Sequence, residues 1–179
     1  MTDYLTLIEV LTLHEDQIKR YGGAPGVRDH GLLEAALFRP QTGYYPDLIA
    51  QAAALWESMA QNHPFIDGNK RAAFAATYTF LIINGAHITA NADQTFAFIS
   101  DLYSSGTFDF EHLDHWMRND VLPFSPPLIS RVRGCQDALA GGVAQPAWQH
   151  RRASARLSRY AAAHGCSRRA MLAAPIGHG

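Results

Sequence analysis

Cysteine is scarce in this sequence: only Cys135 and Cys166 occur among its 179 residues, and neither belongs to a CxxC pattern. Structural zinc sites and disulfide frameworks both need several cysteines at characteristic spacings. The sequence therefore gives no case for either kind of site.

A long uncharged apolar run is missing from the first twenty residues. Acidic residues interrupt this stretch at Asp3, Glu9, Glu15 and Asp16. Secretory signals and membrane spans both depend on an uninterrupted apolar segment. We therefore expect neither at this end of the chain, no membrane partner, and a cytoplasmic protein.

Lysine is absent from residues 127–179, although this segment is strongly basic. It holds eight arginines against the single acid Asp137, a net charge of +7, whereas residues 1–126 hold seven Lys and Arg against fifteen Asp and Glu, a net charge of −8. The apolar pattern also thins out near Ser125-Pro126-Pro127. The sequence predicts a folded domain over residues 1–126 and a basic tail of low order over residues 127–179.

The tail leaves several interpretations open. Its arginines favour weak, non-specific contact with nucleic acid, because guanidinium groups neutralise backbone phosphate. Residues 153–164 are also compatible with a short basic helix. An altered or read-through reading frame would equally explain the abrupt change in composition.

The domain itself is rich in helix start and stop signals, and it predicts an all-α bundle. Thr6 and Glu9 have the spacing of a capping box, and this first helix ends at Tyr21-Gly22-Gly23. Asp29 begins a second helix that Pro40 stops. Further helices are predicted over residues 48–61, from Asn69 to the Asn84-Gly85 stop, and over residues 110–119.

A short flap loop is predicted between the second and third helices. Residues 41–47 carry Gly43 and Pro46 around two aromatic residues, Tyr44 and Tyr45. An exposed edge of backbone in such a loop can bind an extended segment of another protein. Tyr44 and Tyr45 are therefore candidates for positioning a target peptide, with coverage of the core as the alternative.

The most specific segment is His63-Pro64-Phe65-Ile66-Asp67-Gly68-Asn69-Lys70-Arg71, between the third and fourth helices. Pro64 cannot continue the incoming helix, and Gly68 permits a tight turn before the next helix starts. The first N–H groups of a helix lack acceptors and lie at the positive end of its dipole. This segment is therefore a candidate anion site.

The side chains at this helix start suggest which anion binds. Lys70 and Arg71 add a point charge and a forked guanidinium, which favours a phosphate chain. Asp67 would repel phosphate unless a divalent cation lies between them, and Mg²⁺ is commonly held by one carboxylate and substrate phosphates. The alternative for Asp67 is a helix cap. His63 is suited to accept a proton near neutral pH.

At this segment the chain resembles the Fic/Doc superfamily, specifically its death-on-curing (Doc) toxin branch. The superfamily motif His-x-Phe-x-Asp/Glu-Gly-Asn-Gly/Lys-Arg is filled by His63, Phe65 and Asp67 to Arg71 without a gap. The resemblance extends upstream through His14 and the segment from Tyr21 to Asp29, and downstream through Phe80-Leu81 and Asn84-Gly85. It covers residues 4–122.

The resemblance implies a compact helical domain that acts as an ATP-dependent protein phosphotransferase. It implies ATP with Mg²⁺, transfer of the terminal phosphate to a hydroxyl of a translation elongation factor, and neutralisation by a cognate antitoxin. His63 would then be the general base and Asp67 the magnesium-linked carboxylate. The phosphate-binding residues would be Gly68, Asn69, Lys70 and Arg71, with Phe65 anchoring the loop.

Two positions bear on which group is transferred. Fic enzymes that transfer AMP usually have glycine at the position of Lys70 and a second arginine at the position of Phe74. The residues present here favour phosphate transfer, with AMP transfer as the alternative. A domain without activity that binds an antitoxin is a third interpretation.

His112 and His115 have the spacing of a metal-binding pair on the predicted helix over residues 110–119. The alternative is that both lie on a solvated helix face.

Overall fold

The computed structural model describes residues 2–124 of the chain. It contains six α-helices and two short strands in this range. In chain order these are α1 (Leu7–Tyr21), α2 (His30–Phe38), α3 (Leu48–Gln61), α4 (Asn69–Ile83), β1 (Ala86–Ile88), α5 (Ala92–Ser105), α6 (Phe110–Asp120) and β2 (Val121–Pro123). The predicted boundary at residues 125–127 and the predicted low-order tail over residues 127–179 lie outside the described residues.

Polar side chains cap the starts of the first three helices, at two predicted caps (Thr6 and Asp29) and at Asp47, which was not predicted as a cap. Thr6 and Glu9 form both halves of a capping box at α1. Asp29 and Asp47 accept backbone N–H bonds at the starts of α2 and α3. Pro40 lies in a single 3₁₀ turn, Arg39–Gln41, directly after α2. The predicted bounds of these three helices are confirmed, because local capping chemistry sets them.

The core forms around α3, whose residues are buried over most of its length. α3 packs most extensively on α4 and also on α6 and α2. Alanines dominate the α3–α4 contact, which lets the two helices approach closely. Trp56 of α3 lies at the centre, and its ring contacts those of Phe74, Phe108 and Trp116.

Two features of this fold are absent from the sequence prediction. β1 and β2 form an antiparallel pair in which His87 lies opposite Leu122. α5 begins at Asn91, whose side chain forms a capping box with Gln94. The Asn91–Gln94 spacing is a sequence signal for this helix, but only Thr95 and Leu102 of α5 are buried, so its apolar pattern is weak.

The predicted all-α class is confirmed, because helices account for the architecture and the strands are three residues each. Among residues 2–124, no helix has the length and apolar character required to cross a membrane.

Removal of the central indole should strongly destabilise the fold. Trp56 is 1% exposed, whereas Phe38 of α2 is 66% exposed. We expect Trp56→Ala to lower the free energy of unfolding by about 3–5 kcal/mol. The control Phe38→Ala should change it by about 0.5 kcal/mol or less. Urea denaturation followed by circular dichroism measures both, and equal midpoints for the two variants would contradict this account of the core.

Candidate active site

The loop from Asn62 to Gly68, between α3 and α4, is anchored by the buried ring of Phe65. This ring stacks face to face on His14 of α1, with 3.8 Å between ring centroids and 3° between planes. The residue two positions earlier, His63, has φ of 46°, a left-handed conformation that is uncommon for residues with side chains. Strained backbone of this kind persists only where neighbouring structure fixes it.

A segment that follows the first glycine-rich turn holds the loop from the outside. The N–H of Arg28 donates to the Pro64 carbonyl (2.7 Å), and the N–H of Ile66 donates to the Gly26 carbonyl (3.1 Å). Val27 and Phe65 form an isolated antiparallel bridge between these two bonds. The chain segment paired with the motif is therefore residues 26–29.

Two side chains fix the loop from the inside. Asn69 accepts from the Phe65 N–H through Oδ1 (2.8 Å) and donates to the Phe65 carbonyl through Nδ2 (2.9 Å). The Nε2 of His14 lies 2.9 Å from the carbonyl oxygen of Asp67. Because a carbonyl only accepts, this nitrogen carries the proton. Burial lowers the pKa of His14, which favours the neutral ring.

The start of α4 differs from the other helix starts. Gly68 stands at the N-cap in the left-handed conformation and supplies no side chain, whereas side chains cap the other five α-helices within residues 2–124. The first intrahelical bond runs from the Ala72 N–H to the Gly68 carbonyl. The N–H groups of Asn69, Lys70 and Arg71 therefore precede the intrahelical ladder, as an anion site requires.

Asp67 lies beside this helix start, and its carboxylate is exposed. Oδ1 accepts from the Gly68 N–H (2.6 Å), and Oδ2 accepts from the Ala24 N–H (3.2 Å). The carboxylate thus caps the turn before α4 rather than the helix itself. Gly23, at φ of 120°, passes so close that a Cβ there would collide with Asp67 Oδ2.

The basic side chains of this site have no carboxylate partners within residues 2–124. Both terminal nitrogens of Arg71 donate to the Gly22 carbonyl (3.1 Å each), and Arg28 donates to the Asn62 carbonyl (3.1 Å). The Nζ of Lys70 lies 4.0 Å from the ring centroid of Tyr103. Elsewhere, ion pairs join Arg20 to Asp16, Arg39 to Glu57, and Arg118 to Asp47 and Asp114.

His63 is exposed and lies in the field of two of these cations. Partial desolvation is the largest cause that lowers the pKa of His63, followed by the positive charges of Arg28 and Lys70. The imidazole is therefore neutral over a wider pH range than an ordinary histidine. A neutral imidazole beside an anion site can accept a proton from a bound hydroxyl.

The other candidates from the sequence lie apart from this cluster. Tyr45 is buried, accepts from Arg39 Nε at its hydroxyl (2.7 Å) and packs on Phe110, while Tyr44 is 81% exposed and contacts Tyr45 edge-on. The structure thus places Tyr45 against the core, which was the alternative interpretation of this residue. The target-positioning role of these residues stays a prediction.

His112 and His115 are both exposed, as expected of a solvated helix face. The Nδ1 of His112 lies 2.7 Å from the Asp109 cap. The two histidines line an open groove between α5 and α6, with Phe98 and Trp116, that contains none of residues 63–71. Within residues 2–124, no group of three or more His, Cys, Asp or Glu side chains is arranged to hold a metal ion.

Three residues of the site received no role from sequence reasoning. His14 and Arg28 appear there only within the family resemblance, and Tyr103 does not appear. Their roles depend on contacts with the motif from 33 or more positions away in sequence, and local patterns carry no signal for such contacts.

The lowered pKa of His63 can be measured directly. In an NMR pH titration, the pKa of His63 should lie below 6.5, because burial and two cations disfavour its charged form. Arg28→Gln should raise this pKa, whereas Arg20→Gln should leave it unchanged, because Arg20 pairs with Asp16. His63→Asn assigns the resonance. If the pKa of His63 is the same in both arginine variants, Arg28 does not act on His63.

The sign of the linked stability follows from the direction of this shift. Above its ordinary pKa the histidine is neutral in both folded and unfolded chains, so its contribution to stability is fully present. As the pH falls below that value, the unfolded chain binds the proton first, and the contribution is lost down to the pKa of the folded state.

The chain is similar in sequence to known proteins. The profile of the Fic/DOC family matches residues 4–81. Toxin Doc of Mycolicibacterium smegmatis is 50% identical to the chain over 98 residues, which cover 52% of this chain and 73% of that protein. Protein kinase doc of Escherichia phage P1 is 37% identical over 84 residues, which cover 45% of this chain and 67% of that protein. These findings confirm the predicted resemblance, and the chain belongs to the Fic/DOC family.

Proposed function

We propose that this protein is a toxin that transfers the terminal phosphate of ATP to a hydroxyl of a target protein. The observation that carries the proposal is the start of α4, which combines N–H groups that no side chain caps with cations that have no carboxylate partner, two of which, Arg28 and Lys70, act on His63. A phosphate chain supplies the negative charge that this arrangement lacks. The names of the two relatives, Toxin Doc and Protein kinase doc, support the same reaction class.

In the proposed reaction, the target hydroxyl oxygen attacks the γ-phosphorus of ATP. A bond forms between this oxygen and phosphorus, the bond from phosphorus to the bridging oxygen of ADP breaks, and ADP leaves with the electron pair. His63 accepts the hydroxyl proton. Such a transfer depends mainly on alignment and on stabilising the charge of the phosphoryl oxygens. Lys70, Arg71 and the N–H groups of α4 supply that stabilisation.

Gly68 and Asn69 act through the backbone in this proposal, and Arg28 acts through its charge. Gly68 permits the left-handed turn that leaves the start of α4 open. Asn69 holds the loop through Phe65 and presents its own N–H to the anion. Arg28 adds positive charge near His63 from outside the motif.

The residues present fit one mode of magnesium binding, in which the protein supplies a single carboxylate. Asp67 supplies an exposed carboxylate whose two oxygens each accept one backbone N–H and keep further lone pairs. A lone carboxylate suits Mg²⁺ held otherwise by substrate phosphates and water. When bound, the ion would be held by Asp67 and would neutralise phosphate charge.

Phosphate transfer is favoured over AMP transfer by the two positions that separate these reactions. Lys70 occupies the position of the glycine that leaves room for a phosphate chain in AMP-transferring members. Phe74 replaces the second arginine, is 7% exposed and packs on Trp56. The site therefore lacks the second arginine that binds phosphate in AMP-transferring members, and it has a lysine at the position of their glycine.

The target and the partner of this toxin are part of the same proposal. We infer a translation elongation factor as the protein substrate and a cognate antitoxin as the neutralising partner, from the Doc resemblance and the name Toxin Doc. A domain without activity that binds an antitoxin remains the competing function. The intact set His63, Asp67, Lys70 and Arg71 favours the enzyme.

Labelled nucleotide tests the reaction. Incubated with a bacterial lysate, the full-length chain should transfer label to a protein from γ-labelled ATP and not from α-labelled ATP. His63→Ala should lower the transfer rate by about 10²–10⁴-fold, the loss typical of a general base. Label that arrives only from the α position would establish AMP transfer instead. A folded chain that transfers neither label would favour a domain without activity that binds an antitoxin.

A second measurement concerns Asp67. Asp67→Asn keeps the shape of the side chain but removes its charge, so the magnesium concentration for half-maximal transfer should rise on the order of tenfold. The matched control is Asp101→Asn, an exposed carboxylate on α5. An unchanged magnesium titration for Asp67→Asn would limit Asp67 to its cap on the turn.

A further inference from the structure

The side chain of Lys70 rests on an aromatic ring that lies outside the Fic/Doc motif. Its Nζ is 4.0 Å from the ring centroid of Tyr103, which lies on α5, beyond the residues that match the family profile. A cation within about 6 Å of a ring face is attracted by the quadrupole of that ring. The ammonium of Lys70 is therefore held by α5 as well as by its own helix.

The ring of Tyr103 is itself fixed to the core. It stacks on Phe108 with 4.4 Å between centroids and 12° between planes. Phe108 is 3% exposed and contacts the central Trp56 edge-on at 6.0 Å. Burial also raises the pKa of the Tyr103 phenol, so the ring stays neutral at working pH. The support under the Lys70 ammonium is thus rigid and uncharged.

This support matters because of where Lys70 lies. Lys70 is the second residue of α4, where the helix dipole disfavours a cation. A long lysine side chain without a partner would extend into solvent and lose a defined position. The face of Tyr103 offsets the dipole and limits the ammonium to one place near the anion site.

We propose that Tyr103 is a positioning residue that sets substrate orientation by holding the Lys70 ammonium beside the start of α4. Held there, the charge occupies the space that a phosphate chain fills in AMP-transferring members and meets the terminal phosphate of ATP. The inference rests on the proposed phosphate transfer. Loss of the ring should free Lys70 and lower kcat/KM for phosphate transfer by roughly tenfold.

The composition of the chain makes the ring contact directly measurable. Lys19 and Lys70 are its two lysines, so protein labelled with ¹³C-lysine gives one set of side-chain signals for each. Lys19 is exposed and serves as an internal reference. The ring current of Tyr103 should shift the Lys70 methylene signals upfield of those of Lys19.

Three variants of the full-length chain separate the role of the ring from general packing. Tyr103→Phe keeps the ring face, Tyr103→Leu removes it, and Phe98→Leu removes a different aromatic ring of α5 that stacks on Trp116. The upfield shift should persist in Tyr103→Phe and Phe98→Leu and disappear in Tyr103→Leu. Transfer from γ-labelled ATP should stay within about twofold of the native rate in the first two variants and fall in the third.

The two readouts also separate this inference from the proposed function. Lys70 signals that match those of Lys19 in the native chain overturn the ring contact, whatever the activity. A lost shift with unchanged kcat/KM in Tyr103→Leu overturns the functional role of the contact. Equal loss of transfer in Tyr103→Leu and Phe98→Leu assigns Tyr103 to packing alone. A native chain that keeps the shift but transfers no γ-label overturns the phosphotransfer, and the positioning role with it.

Discussion

The two hydrogen bonds between the Asn69 side chain and the backbone of Phe65 are the interaction on which the site depends. They link the first residue of α4 to the middle of the loop and fix the point at which the helix begins. With Phe65 held, its ring lies on His14, residues 26–29 pair alongside, and His63 takes a left-handed conformation. The loop is thus over-determined by several weak contacts, as a strained residue at a functional site requires. Asn69 therefore contributes to the site first as a structural clamp.

The cations of the site are not neutralised by carboxylates of the described residues. Residues 1–126 carry a net charge of −8, so unpaired cations on this body would readily find acidic neighbours. Arg20, Arg39 and Arg118 do so, whereas Arg28, Lys70 and Arg71 contact carbonyl oxygens and a ring. Carbonyl oxygens carry partial charge only, so they orient a guanidinium without neutralising it. The site keeps its positive field while the rest of the surface stays acidic, which favours an anionic ligand at one place.

The sequence predicted those parts of the structure that local chemistry controls. The side chains of Thr6 and Asp29 each accept a backbone N–H three residues further on, so the starts of α1 and α2 could be predicted directly from the sequence. The motif predicted the turn at Gly68 and the open start of α4 for the same reason. The contacts of His14 and Arg28 with the loop, and of Tyr103 with Lys70, could not be predicted, since they join separate elements. Tyr45 illustrates the same limit: its loop looked exposed, but Arg39 and Phe110 bury the ring.

The open start of α4 implies a cost in stability that the fold must offset. A side-chain cap contributes roughly 1 kcal/mol, and a cation in the first turn of a helix is unfavourable by a few tenths of a kcal/mol or more. The ring of Tyr103 offsets part of the cost at Lys70, and the rest of α4 is alanine-rich and nearly fully buried, mainly against α3. Burial there stabilises the helix well away from its start, so the start is free to be unfavourable in the absence of a ligand. A phosphate that binds at this place would satisfy the free N–H groups and the cations together, and the folded chain would gain stability from these contacts.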